Sequence, residues 1–443
     1  MRTGSQIPKP NADVQDLPDG YKMTELGPLP EEWQVVRLGE VAEIRYGKAK
    51  PKNFGTVPVI GSGGIYGWTD KPLIDFSSLI VGRKGTTGQV WLTQEPCWPS
   101  DTTFYLRWKQ EVDVRFVYGY FLLNPLSGEH AKTTLPSLQR PDLENFPIPL
   151  PPLSEQRAIA HVLRTVQQAK EAGERVVAAL RELKKSLMRH LFTYGPVGVR
   201  ITTETTENTE PFSVNSVPSV VNLKDTELGP LPAHWQVVRL GEVFDIQQGK
   251  SLSPKSRTGP RMRPFLRTAN VYWGYIDLTS VDEMHFDELE EQRLALKPGD
   301  LLVCEGGDIG RTALWEGQLP LCLYQDHLHR LRSPREDVFP LFYMYWMQAA
   351  WTLLALYGGS GNKTTIPNLS QSRLAAFPIP LPPLAEQRAI AHILQAVDRR
   401  IAAEEAWVRA VEGLFRSLLH ELMSGKRRVP AEWRISFESE SKI

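Results

Sequence analysis

The chain lacks the signatures by which catalytic proteins are usually recognised. Its 443 residues contain no G-x-x-x-x-G-K-[ST] phosphate loop, no G-x-S-x-G elbow and no zinc-ligand spacing. Nor does an Asn or Asp precede two prolines and an aromatic, as in amino-methyltransferases. Cysteine is scarce: Cys97, Cys304 and Cys322 form no C-x-x-C pair and leave one thiol over in any disulfide scheme, which suits a reducing cytoplasm. The N-terminus has no apolar signal core. Net charge is absent too, with 51 Lys plus Arg against 51 Asp plus Glu, so charge has to be read locally. One long uncharged run stands out, Val338 to Tyr357, at the length of a membrane helix. It contains Pro340 and Gln348, and its first-half counterpart, Val114 to Leu123, is shorter and carries Arg115. The expectation is a helix buried against a sheet and no membrane span.

What is present is duplication. FPIPLPPLSEQRAIAHVL from Phe146 returns as FPIPLPPLAEQRAIAHIL from Phe377, with only Ser154/Ala385 and Val162/Ile393 exchanged. LGPLPEEWQVVRLGEV from Leu26 returns as LGPLPAHWQVVRLGEV from Leu228. The copies lie 202 residues apart at the second motif and 231 apart at the first, so the second half holds 29 more residues between its motifs. Constant ends enclose a variable middle with local echoes: Ile44-Arg45-Tyr46-Gly47-Lys48 against Ile246-Gln247-Gln248-Gly249-Lys250, and Leu79-Ile80-Val81-Gly82 against Leu301-Leu302-Val303-Cys304. Two units of this size argue for pseudo-twofold symmetry rather than a solenoid. The middles read as mixed α/β, with strands predicted at Thr56–Ile60, Gln89–Thr93, Thr102–Trp108 and Cys322–Leu331 and no regular βαβ alternation.

After each PIPLPPL the pattern becomes a long helix, free of proline until Pro196 or Pro430. Val162, Val166, Ala169, Gly173, Val176, Leu180, Leu183 and Leu187 keep the 3.5-residue period of a coiled-coil seam. The second copy places Ile393, Val397, Arg400, Glu404, Trp407, Val411, Leu414 and Leu418 there, with two charged interruptions. Each helix either packs on its own domain or pairs with the other. Two helices of about 39 residues, each about 58 Å long, favour pairing, antiparallel under a twofold. Gly173 would then fall opposite Glu404. Residues 194–225 read as a flexible linker.

Other candidate sites are weak. Gly61-Ser62-Gly63-Gly64 and Gly358-Gly359-Ser360-Gly361 fit turns better than phosphate cradles. His327 and His329 would share a strand face, directed to solvent or DNA rather than to a metal. Asp300 and Glu305 have nuclease-like spacing but lack the following lysine and any counterpart in the first copy. Positive charge, by contrast, is concentrated. Arg45 to Lys84 holds seven Lys or Arg against two acids, and Lys250 to Arg267 six against none. Arg45, Lys48, Lys52, Ser62, Tyr66, Arg83 and Lys84 in the first patch, and Gln248, Lys250, Arg257, Arg263, Arg267, Asn270 and Tyr272 in or beside the second, are the DNA-binding candidates. Lys and Arg hold phosphate, while Asn, Gln and Arg can read base edges. A solvated loop surface is the bland alternative, and equivalent placement in two divergent copies weakens it.

The paired PIPLPPL-x-EQRAIA helices, paired LGPLP-x-x-W starts and variable middles resemble the specificity subunit of a type I restriction–modification system, from about Leu26 to Ser424. That resemblance implies an α+β chain of two mixed α/β target-recognition domains, pseudo-twofold related and separated by an antiparallel coiled coil. Its divisions would be residues 22–152 and 226–383 for recognition, 153–193 and 384–424 for the helices, 194–225 for the linker and 425–443 for a tail. It further implies a non-catalytic cytoplasmic subunit that reads a bipartite, asymmetric site in double-stranded DNA and docks two methyltransferase subunits. Restriction/translocase subunits would join, and S-adenosylmethionine, ATP and Mg2+ would be bound by the partners, with no metal in this chain. A catalytic nuclease or methyltransferase, or a protein scaffold without a DNA role, are the alternatives.

Overall fold

The computed structural model describes residues 17–126, 137–196, 222–357 and 368–439. Most of the predicted linker and Gly358–Gly361 lie outside them. The chain divides into two compact units, Met1–Glu174 with Ala406–Ile443, and Arg175–Glu405. The division cuts through both long helices, so each unit takes the start of one and the end of the other, where the sequence partition kept each helix as a separate piece.

The first unit contains a four-stranded antiparallel sheet in the order Ala42–Tyr46, Thr103–Trp108, Ser78–Gly82, Val90–Thr93. A second sheet sets Val57–Gly61 between Gly64–Thr69, antiparallel, and Trp98–Pro99, parallel. The second unit repeats this plan. Its four-stranded sheet runs Asp245–Gln248, Leu328–Arg332, Leu301–Cys304, Thr312–Leu314, and Met262–Leu266 lies between Asp282–His285 and Leu323–Tyr324. The predicted strand at 322–331 is therefore two strands, separated by a turn. Much of the added chain of the second copy forms the Val271–Ile276 hairpin and the helix Glu288–Leu294. One inner strand of each four-stranded sheet, Ser78–Gly82 and Leu301–Cys304, is wholly buried, which suits its apolar run.

The uncharged run folds as the helix Pro340–Thr352, buried over most of its surface. Among the described residues no helix is long and apolar enough to cross a membrane. Its first-unit equivalent is Val114–Leu123.

The duplicated motifs meet in each unit. Trp33, fully buried, donates its indole N–H to Glu155 Oε2 at 3.0 Å. Trp235, equally buried, donates to Glu386 Oε2 at 2.8 Å. The next residue in each motif caps the aromatic helix. Gln156 accepts from Asp113 N and donates to Pro151 O, and Gln387 accepts from Phe339 N and donates to Pro382 O. The Glu-Gln pair thus ties the hairpin, the long helix and the aromatic helix together, and each bond satisfies a polar group that burial would otherwise penalise. The copies differ in how the carboxylate is paired: Arg428 grips Glu155 through two bonds, at 2.6 and 2.8 Å, while His234 meets Glu386 at 2.7 Å. Gly425 and Gly195, both at positive φ, end the long helices against Trp33 and Trp235 respectively.

The long helices are Leu153–Tyr194 and Leu384–Met423. Their segments pair antiparallel within each unit. Lys170 meets Glu412 in the first unit, while Arg181 and Lys184 meet Glu405 and Asp398 in the second, so numbers rise on one helix as they fall on the other. Val162, Val166, Leu180, Leu183, Leu187, Ile393, Val397, Val411 and Leu418 are at least half-buried, as predicted. Val176 and Leu414 are not: they are 42% and 50% exposed, and Val177 and Phe415 take the inward positions. Ile401 is likewise inward where Arg400 was expected. The cause is the 3.6-residue turn, which drifts from a strict 3.5 repeat and selects the neighbouring apolar residue. Gly173 faces Trp407 and Val408 rather than Glu404, which pairs with Arg400 on its own helix. The missing side chain leaves room for an indole, and Trp407 covers Gly173 while remaining 45% exposed.

Glu155→Ala takes the acceptor from the buried Trp33 N–H and leaves Arg428 with Glu32 alone, so urea unfolding should show a loss on the order of 1–3 kcal/mol. Hydrogen exchange should place that loss in residues 27–37 and 146–160, and equal loss around Trp235 would contradict the assignment. Gly173→Ala should destabilise the native chain because its methyl collides with Trp407. In a background carrying both Trp407→Ala and Val408→Ala, which clears the side chains facing Gly173, the same change should instead stabilise by roughly 0.5–1 kcal/mol, the helix preference of Ala over Gly.

Candidate nucleic-acid interface

At the end of each four-stranded sheet the chain turns where the sequence echoes fall. Gly47 passes so close to Pro99 O and Ser100 O that a Cβ would overlap them, and Gly249 lies in the same way against Tyr324 O and Gln325 O. Only glycine permits that approach, which accounts for the echoed Gly-Lys. Lys48 then bridges to Ser100 and Lys250 to Gln325. The turns after Ser78–Gly82 and Leu301–Cys304 also match. Gly88 N donates to Gly82 O at 2.8 Å and Gly310 N to Cys304 O at 2.9 Å.

In the first unit several candidates converge on this edge. Arg83 lies 5.2 Å from the Tyr46 ring and donates to Asp101 O at 3.0 Å. The Ser62 side chain adjoins Gly82 and Gly85, and Tyr66 packs over Gly61 with Lys50 at 6.0 Å from its ring. Lys48, Lys52 and Lys84 are exposed. Arg45 is partly neutralised by Glu43 at 2.7 Å, which also holds the Glu43 carboxyl below its usual range. Exposed Ile65, Tyr66 and Trp68 share the neighbouring hairpin, and Phe54 is 89% exposed. Lys50 and Phe54 were not singled out from sequence. Their signal was the same patch, but nothing in the pattern ranked them above their neighbours.

The second unit departs from the expectation. Lys250 is bound to Glu290 and to His285 O. Arg263 and Arg261 share Glu291, at 2.8 and 3.0 Å, and Arg267 meets Asp282 at 3.1 Å. Arg263 first, then Arg261, holds the Glu291 carboxyl below its usual value. The run that is purely basic in sequence is therefore compensated by the acids of residues 282–291, which pack over it. Asn270 is 4% exposed, and its side chain binds Arg267 N, Asp277 O and Ser280 O, so it holds the hairpin rather than facing a ligand. Tyr272 stacks on Tyr275 at 4.8 Å with Arg311 over its ring. Arg257 stays exposed on the short Pro254–Arg257 turn.

Gln248 is exposed at the sheet edge and donates to Glu305 Oε2 at 2.8 Å and Asp326 O at 3.0 Å. His329 is fully buried and bonded to Leu369 O, while exposed His327 precedes the strand, so the two histidines do not share a face. Asp300 is 1% exposed and held by both arms of Arg332 at 2.6 Å. It is a structural ion pair. Burial pushes the Cys304 and Cys322 thiols up to about 12, and both are free. Among the described residues no group of three or more His, Cys, Asp or Glu is placed to hold a metal.

Comparison with known proteins adds an independent line. The family model for the type I restriction modification DNA specificity domain matches twice, at residues 30–176 and 232–412. The type I restriction enzyme MjaVIII specificity subunit of Methanocaldococcus jannaschii is 28% identical, covering 90% of this chain and 94% of the relative. The EcoDI specificity subunit of Escherichia coli is 20% identical over 92% and 91%. The crystal structure of the S subunit from M. genitalium covers 88% of this chain and 96% of its own, with TM-score 0.55 and 17% identity. A chain from a structural study of type I system complex assembly covers 90% and 99%, with TM-score 0.53 and 18% identity. A duplicated constant frame, divergent sheet edges and a family match in both halves give one conclusion: the chain belongs to the type I restriction–modification DNA specificity family, as a non-catalytic specificity subunit.

Proposed function

We propose that each unit reads one half of a bipartite, asymmetric site in double-stranded DNA, and that the duplicated helices dock two copies of a methyltransferase subunit. The observation that carries this is the pairing of an identical frame with dissimilar exposed edges. Trp33–Glu155 and Trp235–Glu386 hold the same scaffold, while one edge exposes Tyr46 and Lys84 beside a half-buried Arg83 and the other exposes Gln248 over the buried Glu305. A surface presented twice recruits one partner twice, and edges free to differ read different bases. Restriction/translocase subunits complete the assembly in the cytoplasm. S-adenosylmethionine, ATP and Mg2+ belong to those partners, and the catalytic chemistry is theirs.

Replacing residues 45–145 by the segment of another family member, in complex with the methyltransferase subunits, should alter one half of the methylated motif and leave the other intact. Changes in both halves would contradict independent reading. Charge offers a second test. Lys48→Ala, Lys52→Ala and Lys84→Ala should each weaken binding on every sequence and lower the salt slope by about one. Arg263→Ala should leave the slope unchanged, because Glu291 already compensates that charge; an equal fall would put Arg263 on phosphate.

A further inference from the structure

The repeat registers superpose three side-chain positions exactly where the two units are most unlike. Tyr46 and Gln248 each end the first strand of the four-stranded sheet. Opposite them in the ladders stand Phe104 and His329. Arg83 and Glu305 each follow the buried third strand in sequence, with N–H groups bonded to Thr102 O and His327 O at 2.8 and 2.9 Å. The triplets touch in the same pairs. Arg83 lies over Tyr46 and over Phe104, at 5.2 and 5.9 Å. Glu305 accepts from Gln248 and lies 3.9 Å from His329 Nε2. One backbone therefore carries a guanidinium on two aromatic rings in one unit, and a carboxylate bonded to an amide in the other.

Donor and acceptor content separates the triplets. In the first, one terminal guanidinium nitrogen of Arg83 is used by Asp101 O, and the other has no partner among the described residues. That triplet offers donors. In the second, the two bonds of the Gln248 amide nitrogen, to Glu305 and to Asp326 O, consume its hydrogens. Gln248 Oε1 is left to accept, beside a carboxylate that also only accepts. A loop with a purely structural role would not need to reverse its polarity on an unchanged backbone.

Resting on the DNA-reading function above, we infer that these triplets are the base-reading heads and that they take opposite edges. The Arg83 head takes the acceptor edge of guanine, O6 and N7, and the Gln248–Glu305 head takes a base presenting an exocyclic amino group, adenine N6 or cytosine N4. Both edges lie in the major groove. Glu305, buried beneath Gln248, acts on the second base by orienting the Gln248 amide so that its Oε1 faces outward.

The test uses the full chain assembled with its methyltransferase subunits and reads the methylated motif of host DNA by long-read sequencing. The native complex should show an interrupted motif with guanine in one half and adenine or cytosine at a required position of the other, and the motif itself tells those two apart. Arg83→Lys keeps the charge over Tyr46 but loses the fork, and should relax one guanine position by roughly tenfold or more with the other half unchanged. Glu305→Gln introduces a donor and should change preference at one position of the opposite half. Uniform loss of methylation at an unaltered motif would place Arg83 on phosphate and overturn the inference, as would a motif unchanged by both variants. If Glu305→Gln fails to assemble, Gln248→Ala at the exposed edge gives the same reading of that half. A native complex without an interrupted motif would sink the DNA-reading function itself, and this inference with it, whereas an intact native motif with unresponsive variants sinks the inference alone.

Discussion

A single hydrogen bond, from a fully buried indole to a carboxylate at the start of a long helix, organises each unit. The indole supplies apolar area and one polar handle, and the carboxylate is the acceptor that makes burial of that handle tolerable. The neighbouring glutamine extends the tie to the aromatic helix, so three elements take their mutual orientation from two adjacent residues, Glu155 and Gln156 or Glu386 and Gln387. The second partner of the carboxylate varies, Arg428 in one unit and His234 in the other, but the bond from the indole does not. This explains why the two motifs recur together in the sequence: each is half of one interaction.

Architecture was therefore legible to the extent that it repeats. The duplicated motifs foretold two like units and two long antiparallel helices, and the uncharged run foretold a buried helix. Details within a periodic pattern were less legible. Val176 and Val177 are both apolar, and only the true helical pitch decides that Val177 turns inward. Gly173 looked like a gap facing a charge, yet Trp407 and Val408 fill the gap.

Charge was legible in one unit and misleading in the other. The basic run from Lys250 to Arg267 contains no acid, but folding brings Asp282, Glu290 and Glu291 onto it. A sequence window cannot count partners that lie 15 to 40 residues downstream on another element, and an ion pair so formed is no longer available to phosphate. Among the described residues of the first unit no acid pairs with Lys48, Lys52 or Lys84, and these lysines remain exposed. Asn270 shows the same lesson in a neutral group: a residue type suited to reading bases is spent on holding a turn.

The strands that flank each variable region bear on how such chains diversify. Gln34–Arg37 pairs with Pro147–Leu150, and Gln236–Arg239 with Pro378–Leu381, so each variable segment leaves and rejoins the constant frame through two adjacent, hydrogen-bonded strands. The distance the replacement must span is fixed by one ladder and is independent of its own length, which is why the second copy accommodates extra chain without disturbing its frame. Exchange of the chain between these near-identical borders would move a whole cassette at once, and on the function proposed above a half-site with it, while the scaffold stays as it is.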